Sequence, residues 1–305
     1  MNRPIVLGAR LLFGAMFLFA AATLLHAQAT GGAAPAPPPP ARGLVLVELF
    51  TSEGCPHCPE ADSLLERLYS EQPVPGVEIV PIEEHVDYWD RPEWVDHFSS
   101  PRYTQRQKIY ADAMDLDSVY TPQMVADGLV EFVGNNEGRA LATIAALGHA
   151  TVASLRFSPA AARPAGSPGA QVQLEGQGIS LQGPASVFLV LTEDKLVSRV
   201  GGGKNSGETW KHSSIARWFY RVAKLRADEK NFSAGLNLAQ PDPDWRAENL
   251  RLIAFVQEDE SQRVLAIGVA PWSVALGAAQ TTPAASRRVP AAPAATSKPS
   301  GPVGP

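Results

Sequence analysis

The only two cysteines of this 305-residue chain lie in the motif Cys55-Pro56-His57-Cys58. The motif follows an apolar run from Leu44 to Phe50 and precedes a segment with apolar residues at helical spacing, so we expect a strand to end and a helix to begin here. Pro56 suits the first turn of that helix. Thiols at this spacing can pair with each other, and a helix N-terminus stabilises a nearby thiolate. The motif therefore predicts a redox-active dithiol.

A permanent structural disulfide is the alternative interpretation of the pair Cys55 and Cys58. In the loop-entropy treatment, so short a loop stabilises a protein by only about 2 kcal/mol. A stabilising cross-link is expected to close a longer loop, so the spacing favours redox exchange. His57 lies between the two sulfurs, where its imidazole would favour the Cys55 thiolate. The alternative for His57 is a solvent-facing side chain without a partner.

The N-terminal segment has the features of an export signal. Arg3 and Arg10 precede an apolar run, and Ala27-Gln28-Ala29 offers a small-x-small cleavage site. We therefore expect a signal peptide over residues 1–29, with a retained membrane anchor as the alternative. Export predicts a periplasmic or secreted protein, in a compartment where disulfides persist. After cleavage no stable membrane insertion is expected.

The order of predicted elements divides the rest of the chain. From Leu44 to about His149 strands and helices alternate, whereas short strand-like runs with Gly/Pro-rich connections follow Ala150. We predict an α/β class, with an α/β domain followed by a small antiparallel β-rich domain. The stretch from Ile215 to Leu225 could be a helix or a strand, because its apolar residues fit both the helical spacing and the alternation of a strand. The predicted segments are a Pro/Ala-rich linker over 30–42, the domains 43–150 and 151–276, and a disordered Ala/Pro-rich tail over 277–305.

Three stretches of the chain resemble an exported thioredoxin-like family, domain of unknown function 1223. They are VELFTSEGCPHCPEADSLL (Val47–Leu65), HVDYWDRPEW (His85–Trp94) and VYTPQMVADG (Val119–Gly128). The glycine-rich GKNSGETWKH (Gly203–His212) also resembles the second domain of that family. The resemblance implies a thioredoxin-like fold for the first domain, and a Cys-Pro-His-Cys motif is similar to that of periplasmic disulfide oxidases. The family name carries no established activity.

The resemblance also implies roles for individual residues. Cys55 would be the more exposed, attacking thiol, and Cys58 the buried, resolving thiol. Thr121 and Pro122 would form the cis-proline segment beside the dithiol, where the backbone of Thr121 could pair with an extended substrate. Glu48 would be either a buried acid for proton transfer or an outward-facing edge residue. Gly54 in place of Trp before the first cysteine, and a long insertion over 88–117, depart from thioredoxin itself.

The function expected from these residues is thiol–disulfide exchange on exported proteins, together with an unidentified redox partner. One alternative function is binding of copper or zinc by Cys55, Cys58 and His85. The motif is a weak metal signal, because the sequence lacks a second ligand pair. Another alternative is a non-catalytic binding module. The net charge of −5 argues against a nucleic-acid partner. No cofactor and no resident metal are predicted, and the loop from Gly201 to Lys204 lacks the spacing of a phosphate loop and is expected to be flexible.

Overall fold

A computed structural model describes residues 42–148, 153–160 and 170–277. The predicted signal peptide, nearly all of the predicted linker and tail, and the predicted domain boundary near residue 150 lie outside the described residues. Among the described helices, none has the length and apolar character that a membrane crossing requires.

The described chain contains three α-helices and thirteen β-strands. In chain order the elements are β1 Gly43–Thr51, α1 Pro59–Glu71, β2 Val77–His85, α2 Pro101–Ala113, β3 Gln123–Ala126, β4 Val130–Val133, α3 Glu137–Leu147, β5 Ser154–Pro159, β6 Ala170–Gln177, β7 Ala185–Glu193, β8 Leu196–Arg199, β9 Thr209–His212, β10 Ile215–Leu225, β11 Phe232–Leu238, β12 Leu250–Glu258 and β13 Val264–Pro271. The chain thus has the predicted α/β class, and the stretch that fitted both periodicities is the strand β10.

One eight-stranded sheet forms the centre of the fold, in the order β13-β12-β7-β10-β2-β1-β3-β4. β1 pairs in parallel with β2 and antiparallel with β3. Both faces of β1 are covered, which explains its nearly continuous apolar sequence. Val45, Val47 and Leu49 pack in one core cluster with residues of α1 and α3. Leu46 packs on the opposite face, in a cluster with Tyr103 of α2.

Four strands from the C-terminal part of the chain extend this same sheet. β10 joins β2 in parallel through the pair Ile215 and Glu83, and β7, β12 and β13 continue outward with antiparallel pairing. Only β5, β6 and β11 form a separate three-stranded sheet, with β8 and β9 as a two-stranded ribbon. Four strands of the predicted β-rich domain therefore belong to the central sheet, and the boundary between the two predicted domains stays a prediction. The apolar residues of these four strands are buried on both faces, so they require a covered position in a large sheet.

Candidate functional site

The two cysteines form a disulfide in the turn between β1 and α1, with their Cα atoms 5.5 Å apart. Helix α1 begins at Pro59, and Cys58 is its N-cap residue. Pro56 therefore precedes the helix, contrary to the expectation that it lies in the first turn. Pro59 fits the first helical position because its missing N–H would have no intrahelical partner there. Cys58 therefore lies at the N-terminus of the helix, and its side chain makes no capping hydrogen bond.

Both cysteines are completely buried, at 0% exposure. The prediction that Cys55 is the more exposed of the two is therefore wrong for this structure. The side chains that cover the disulfide come from the insertion after β2 and from the segment between β8 and the middle of β9. They are Trp89, Trp94, Val200 and Trp210. We refer to Val200–Trp210 as the cap.

The cap is attached to the dithiol turn by a buried asparagine. Asn205 donates its side-chain amide to the backbone carbonyls of Cys55, over 2.8 Å, and of Glu53, over 2.9 Å. The cap also lies very close to the insertion after β2, at Gly202. A Cβ atom on Gly202 would lie 2.0 Å from the carbonyl oxygen of Glu93. The loop from Gly201 to Lys204 is therefore closely packed, contrary to the expectation that it is flexible. Its glycines permit the close contact with Glu93.

The peptide bond between Thr121 and Pro122 is cis. Trp89 donates its indole N–H to the hydroxyl of Thr121 over 2.6 Å, and Trp89 packs against the buried cluster that contains the two cysteines. Trp89 therefore connects the proline segment to the disulfide. His57 is exposed, and within the described residues it forms no hydrogen bond or ion pair. Its predicted effect on the Cys55 thiolate stays a prediction.

Glu48 is buried on the face of β1 that packs against α2. Its carboxylate accepts hydrogen bonds from the Arg106 guanidinium and the Tyr110 hydroxyl. Burial acts to lower the pKa of Arg106, but Glu48 beside it holds that pKa above its ordinary value. Glu84 adjoins this group, and burial followed by repulsion from Glu48 raises its pKa. The structure thus places Glu48 in an ion-pair network with α2 instead of beside the disulfide, and it does not form an outward-facing edge.

A second group of buried polar side chains lies near the disulfide. Four of them bring potential ligand atoms within 4.8 Å of one another, namely Asp62 on α1, Glu83 and His85 at the end of β2, and His212 at the end of β9. Asp62 lies one helical turn after Cys58, and its carboxylate accepts a hydrogen bond from Thr51 over 2.8 Å. The alternative ligand set of His85 with the two cysteines is not what the fold assembles, because both nitrogens of His85 face carboxylates and the sulfurs are joined to each other.

The charges within this group depend on one another. Burial alone would lower the pKa of His85, but Asp96 and Glu83 raise it well above its ordinary value. Burial likewise opposes the charge on His212, whereas Glu83 raises the pKa of His212 to about 9. Burial acts to raise the pKa of Glu83, yet the two imidazoles hold that pKa far below its ordinary value. Burial, followed by repulsion from Glu83, raises the pKa of Asp62. The charge of each residue in this group therefore depends on the charges of its neighbours.

Sequence reasoning did not identify Asn205, Trp210, His212 or Asp62 as members of the site. The stretch Gly203–His212 contains three of these residues, so the family resemblance marked the segment without assigning roles within it. The sequence of β9 carries a further signal, because Trp210 and His212 alternate with the polar Thr209 and Lys211, and the structure shows the same alternation in burial. That alternation places Trp210 and His212 on the face that meets the disulfide and β2.

Comparison with known proteins agrees with this architecture. The family described as "Protein of unknown function (DUF1223)" matches residues 46–257. Thioredoxin from Methanocaldococcus jannaschii is 31% identical over 90 residues, which are 30% of this chain and 79% of that protein.

Two solved structures share the fold at low sequence identity. Protein AGR_C_4864 from Agrobacterium tumefaciens has a TM-score of 0.57 at 20% identity, covering 74% of this chain and 92% of that one. HBP35 of Porphyromonas gingivalis has a TM-score of 0.58 at 13% identity, covering 80% of each chain.

Proposed function

This chain belongs to the DUF1223 family, and we propose that it is an exported thiol–disulfide oxidoreductase that acts on protein thiols in the periplasm or outside the cell. The observation that carries the proposal is the Cys55–Cys58 disulfide between β1 and α1, with Trp89 joining it to the cis Thr121–Pro122 segment. The thioredoxin match supports a thiol-related function. The export signal expected over residues 1–29 supports the location.

The proposed exchange is a two-electron reaction with a dithiol substrate. One substrate thiolate attacks the sulfur of Cys55, so that a mixed disulfide forms and Cys58 leaves as a thiolate. The second substrate thiolate then attacks the substrate sulfur of the mixed disulfide. The substrate gains a disulfide and loses two protons and two electrons, while Cys55 and Cys58 become a dithiol. A disulfide-bearing redox partner restores the starting state by the reverse exchange.

The position of Cys58 suits it to be the leaving and resolving thiol. As the N-cap residue of α1 it lies at the positive end of the helix dipole, which stabilises a thiolate. A more stable thiolate leaves faster from a disulfide. Cys55 lies before the helix and therefore carries the mixed disulfide in this proposal.

Exchange requires the cap to open, because neither sulfur is accessible in the closed structure. The contacts that must separate are the Asn205 hydrogen bonds and the packing of Trp210 on the cysteines. Segments that open locally cost less free energy than global unfolding. We therefore propose that cap opening controls access of the substrate to Cys55.

A non-catalytic binding module with a permanent disulfide is the second candidate. The complete burial of both cysteines favours it, since a buried disulfide is protected from exchange. The two candidates differ in one property, which is whether the cysteines react with a substrate disulfide in the folded protein.

A test of the proposed exchange uses the single-cysteine variants Cys58→Ser and Cys55→Ser. Each folded variant is incubated with a disulfide-linked peptide dimer, and intact mass spectrometry measures the mixed disulfide. Thiolate attack by Cys55 releases one peptide thiol and leaves one peptide attached, and the Cys58→Ser variant has no second thiol to remove it. We expect a persistent adduct in Cys58→Ser and much less in Cys55→Ser. Equal adducts would overturn the assignment of roles, and no adduct in either variant would support the binding module.

A further inference from the structure

Two histidines and two carboxylates from three elements of the fold form a buried group beside the dithiol. Asp62, Glu83, His85 and His212 are each at most 4% exposed, and their ligand atoms lie within 4.8 Å of one another. We propose that these four residues bind a divalent transition-metal ion of the zinc type. This proposal is independent of the thiol exchange, because no cysteine takes part in it.

Each imidazole directs one nitrogen at the same carboxylate oxygen. Glu83 Oε1 lies 2.8 Å from Nε2 of His85 and 2.7 Å from Nδ1 of His212, so three potential ligand atoms lie close together. The second nitrogen of each ring forms a hydrogen bond on the opposite side. Nδ1 of His85 lies 2.7 Å from Oδ2 of Asp96, and Nε2 of His212 lies 2.8 Å from the hydroxyl oxygen of Ser198. Histidines that bind metal commonly have such an outer partner, which fixes the tautomer and the ring orientation.

One carboxylate oxygen of this group, Oδ1 of Asp62, is buried and has no hydrogen-bond partner among the described residues. A buried acceptor without a partner is costly in a protein interior. A cation held between Asp62 and the two imidazoles would satisfy the free oxygen of Asp62.

The donor set selects the class of ion. Binding would displace the protons of both imidazoles, because a ligand nitrogen must be deprotonated. Two neutral imidazoles and two carboxylates then balance a charge of about +2, and nitrogen with oxygen ligands is a set that zinc accepts. In a tetrahedral zinc site, bonds of about 2.0–2.2 Å place the ligand atoms about 3.3–3.6 Å apart. Atoms at the observed limit of 4.8 Å would therefore approach each other on binding, and the Glu83 oxygen would move away from the two rings.

A cavity borders one member of this group. It has a volume of about 240 Å³ and lies between α1 and β9, with Asp62 in its lining. Trp210 lines the same cavity and also packs on the disulfide. Because His212 and Trp210 belong to the same short strand, an ion at this site would hold β9 against β2 and α1.

The test is a titration of Zn²⁺ into the full chain after chelator treatment, with the disulfide kept oxidised so that no thiolate can bind zinc. We expect binding of one ion per chain by calorimetry. The variants His212→Ala and Asp62→Asn should each weaken it by about 100-fold or more, since even outer-partner changes cost about 10–100-fold in metal affinity. His97→Ala is the matched control, because His97 is exposed and lies outside the group, and it should bind as the unaltered chain does.

A second measurement needs no variant and so does not depend on variant folding. Co²⁺ added to the oxidised, unaltered chain should give the visible absorption of a four-coordinate site, and one equivalent of Zn²⁺ should abolish it. Absence of stoichiometric Zn²⁺ binding by the unaltered chain would overturn the proposal. So would binding of unchanged affinity in folded His212→Ala and Asp62→Asn.

Discussion

Asn205 donates its side-chain amide to the backbone carbonyl of Cys55 over 2.8 Å, although the two residues are 150 positions apart in the chain. The same amide group also donates to the carbonyl of Glu53, two residues before the first cysteine. Asn205 is buried and lies within the cap that covers the disulfide. One side chain therefore links the cap to the backbone of the dithiol turn.

Replacing Asn205 by alanine should make the disulfide more accessible. The change Asn205→Ala removes two hydrogen bonds, each worth about 0.5–1.5 kcal/mol net, so the open form of the cap should become about 5- to 150-fold more populated. The rate at which dithiothreitol reduces the Cys55–Cys58 disulfide should rise accordingly. Alkylation of the released thiols, followed by mass spectrometry, measures this rate.

Ser206→Ala provides the matched control in the same loop. Ser206 is exposed, and its hydroxyl makes one long hydrogen bond of 3.4 Å to the carbonyl of Gly201. The control should be reduced at the rate of the unaltered chain. If Asn205→Ala and Ser206→Ala are reduced at equal rates, the buried asparagine does not control access.

Gly202→Ala should displace the cap from the other side. The added methyl group would lie 2.0 Å from the Glu93 carbonyl oxygen, so the cap or the insertion has to move. Overpacking of this kind costs about 1–3 kcal/mol. We expect a lower free energy of unfolding and faster reduction of the disulfide. In the control Gly183→Ala the new Cβ atom meets nothing within 4 Å. Faster reduction in both variants would show that the close contact is unimportant.

The sequence could identify the dithiol and the elements on either side of it, because both depend on local patterns. The strand before Cys55 and the helix after Cys58 follow from apolar runs and spacing within a few residues. Each of these features lies where the sequence placed it, apart from the first helical residue at Pro59.

The cover over the disulfide could not be predicted in the same way, because it depends on long-range contacts. Nothing near Cys55 in the sequence indicates that Asn205 donates to its backbone, and the burial of both sulfurs depends on that contact and on Trp210. The position of Glu48 was also undecided, since alternation in β1 shows which residues share a face but not which helix covers it. The joining of β10 to β2 decides the position of the cap, and it rests on a single residue pair between distant segments.

Asp127 should make stability depend on pH. Burial raises its pKa from 3.8 to about 7. Its contribution to stability is therefore fully present below pH 4 and is lost as the pH rises through 7, because ionisation is easier in the unfolded chain. Asp127→Asn keeps an oxygen for the Leu46 amide that now binds Oδ1. At pH 8 the variant should be more stable by up to about 4 kcal/mol, since one pKa unit corresponds to about 1.4 kcal/mol, and at pH 4 the two should be alike.

Chemical denaturation at pH 4 and pH 8 measures this difference. Asp115→Asn is the matched control, because Asp115 also has a left-handed backbone, with φ of 54°, but an exposed side chain. The control should not change stability at either pH. A gain in Asp127→Asn that is equal at both pH values would contradict the assignment to Asp127 ionisation.

The reduction potential of the Cys55–Cys58 disulfide tests the central claim most directly. The full chain is equilibrated with mixtures of reduced and oxidised glutathione, and the fraction of dithiol is measured by alkylation and mass spectrometry. A protein that exchanges disulfides with substrates should have a potential above about −270 mV, within the range of thioredoxin and the more oxidising exchange proteins. A value below about −300 mV, which is typical of structural disulfides, would contradict the proposed exchange.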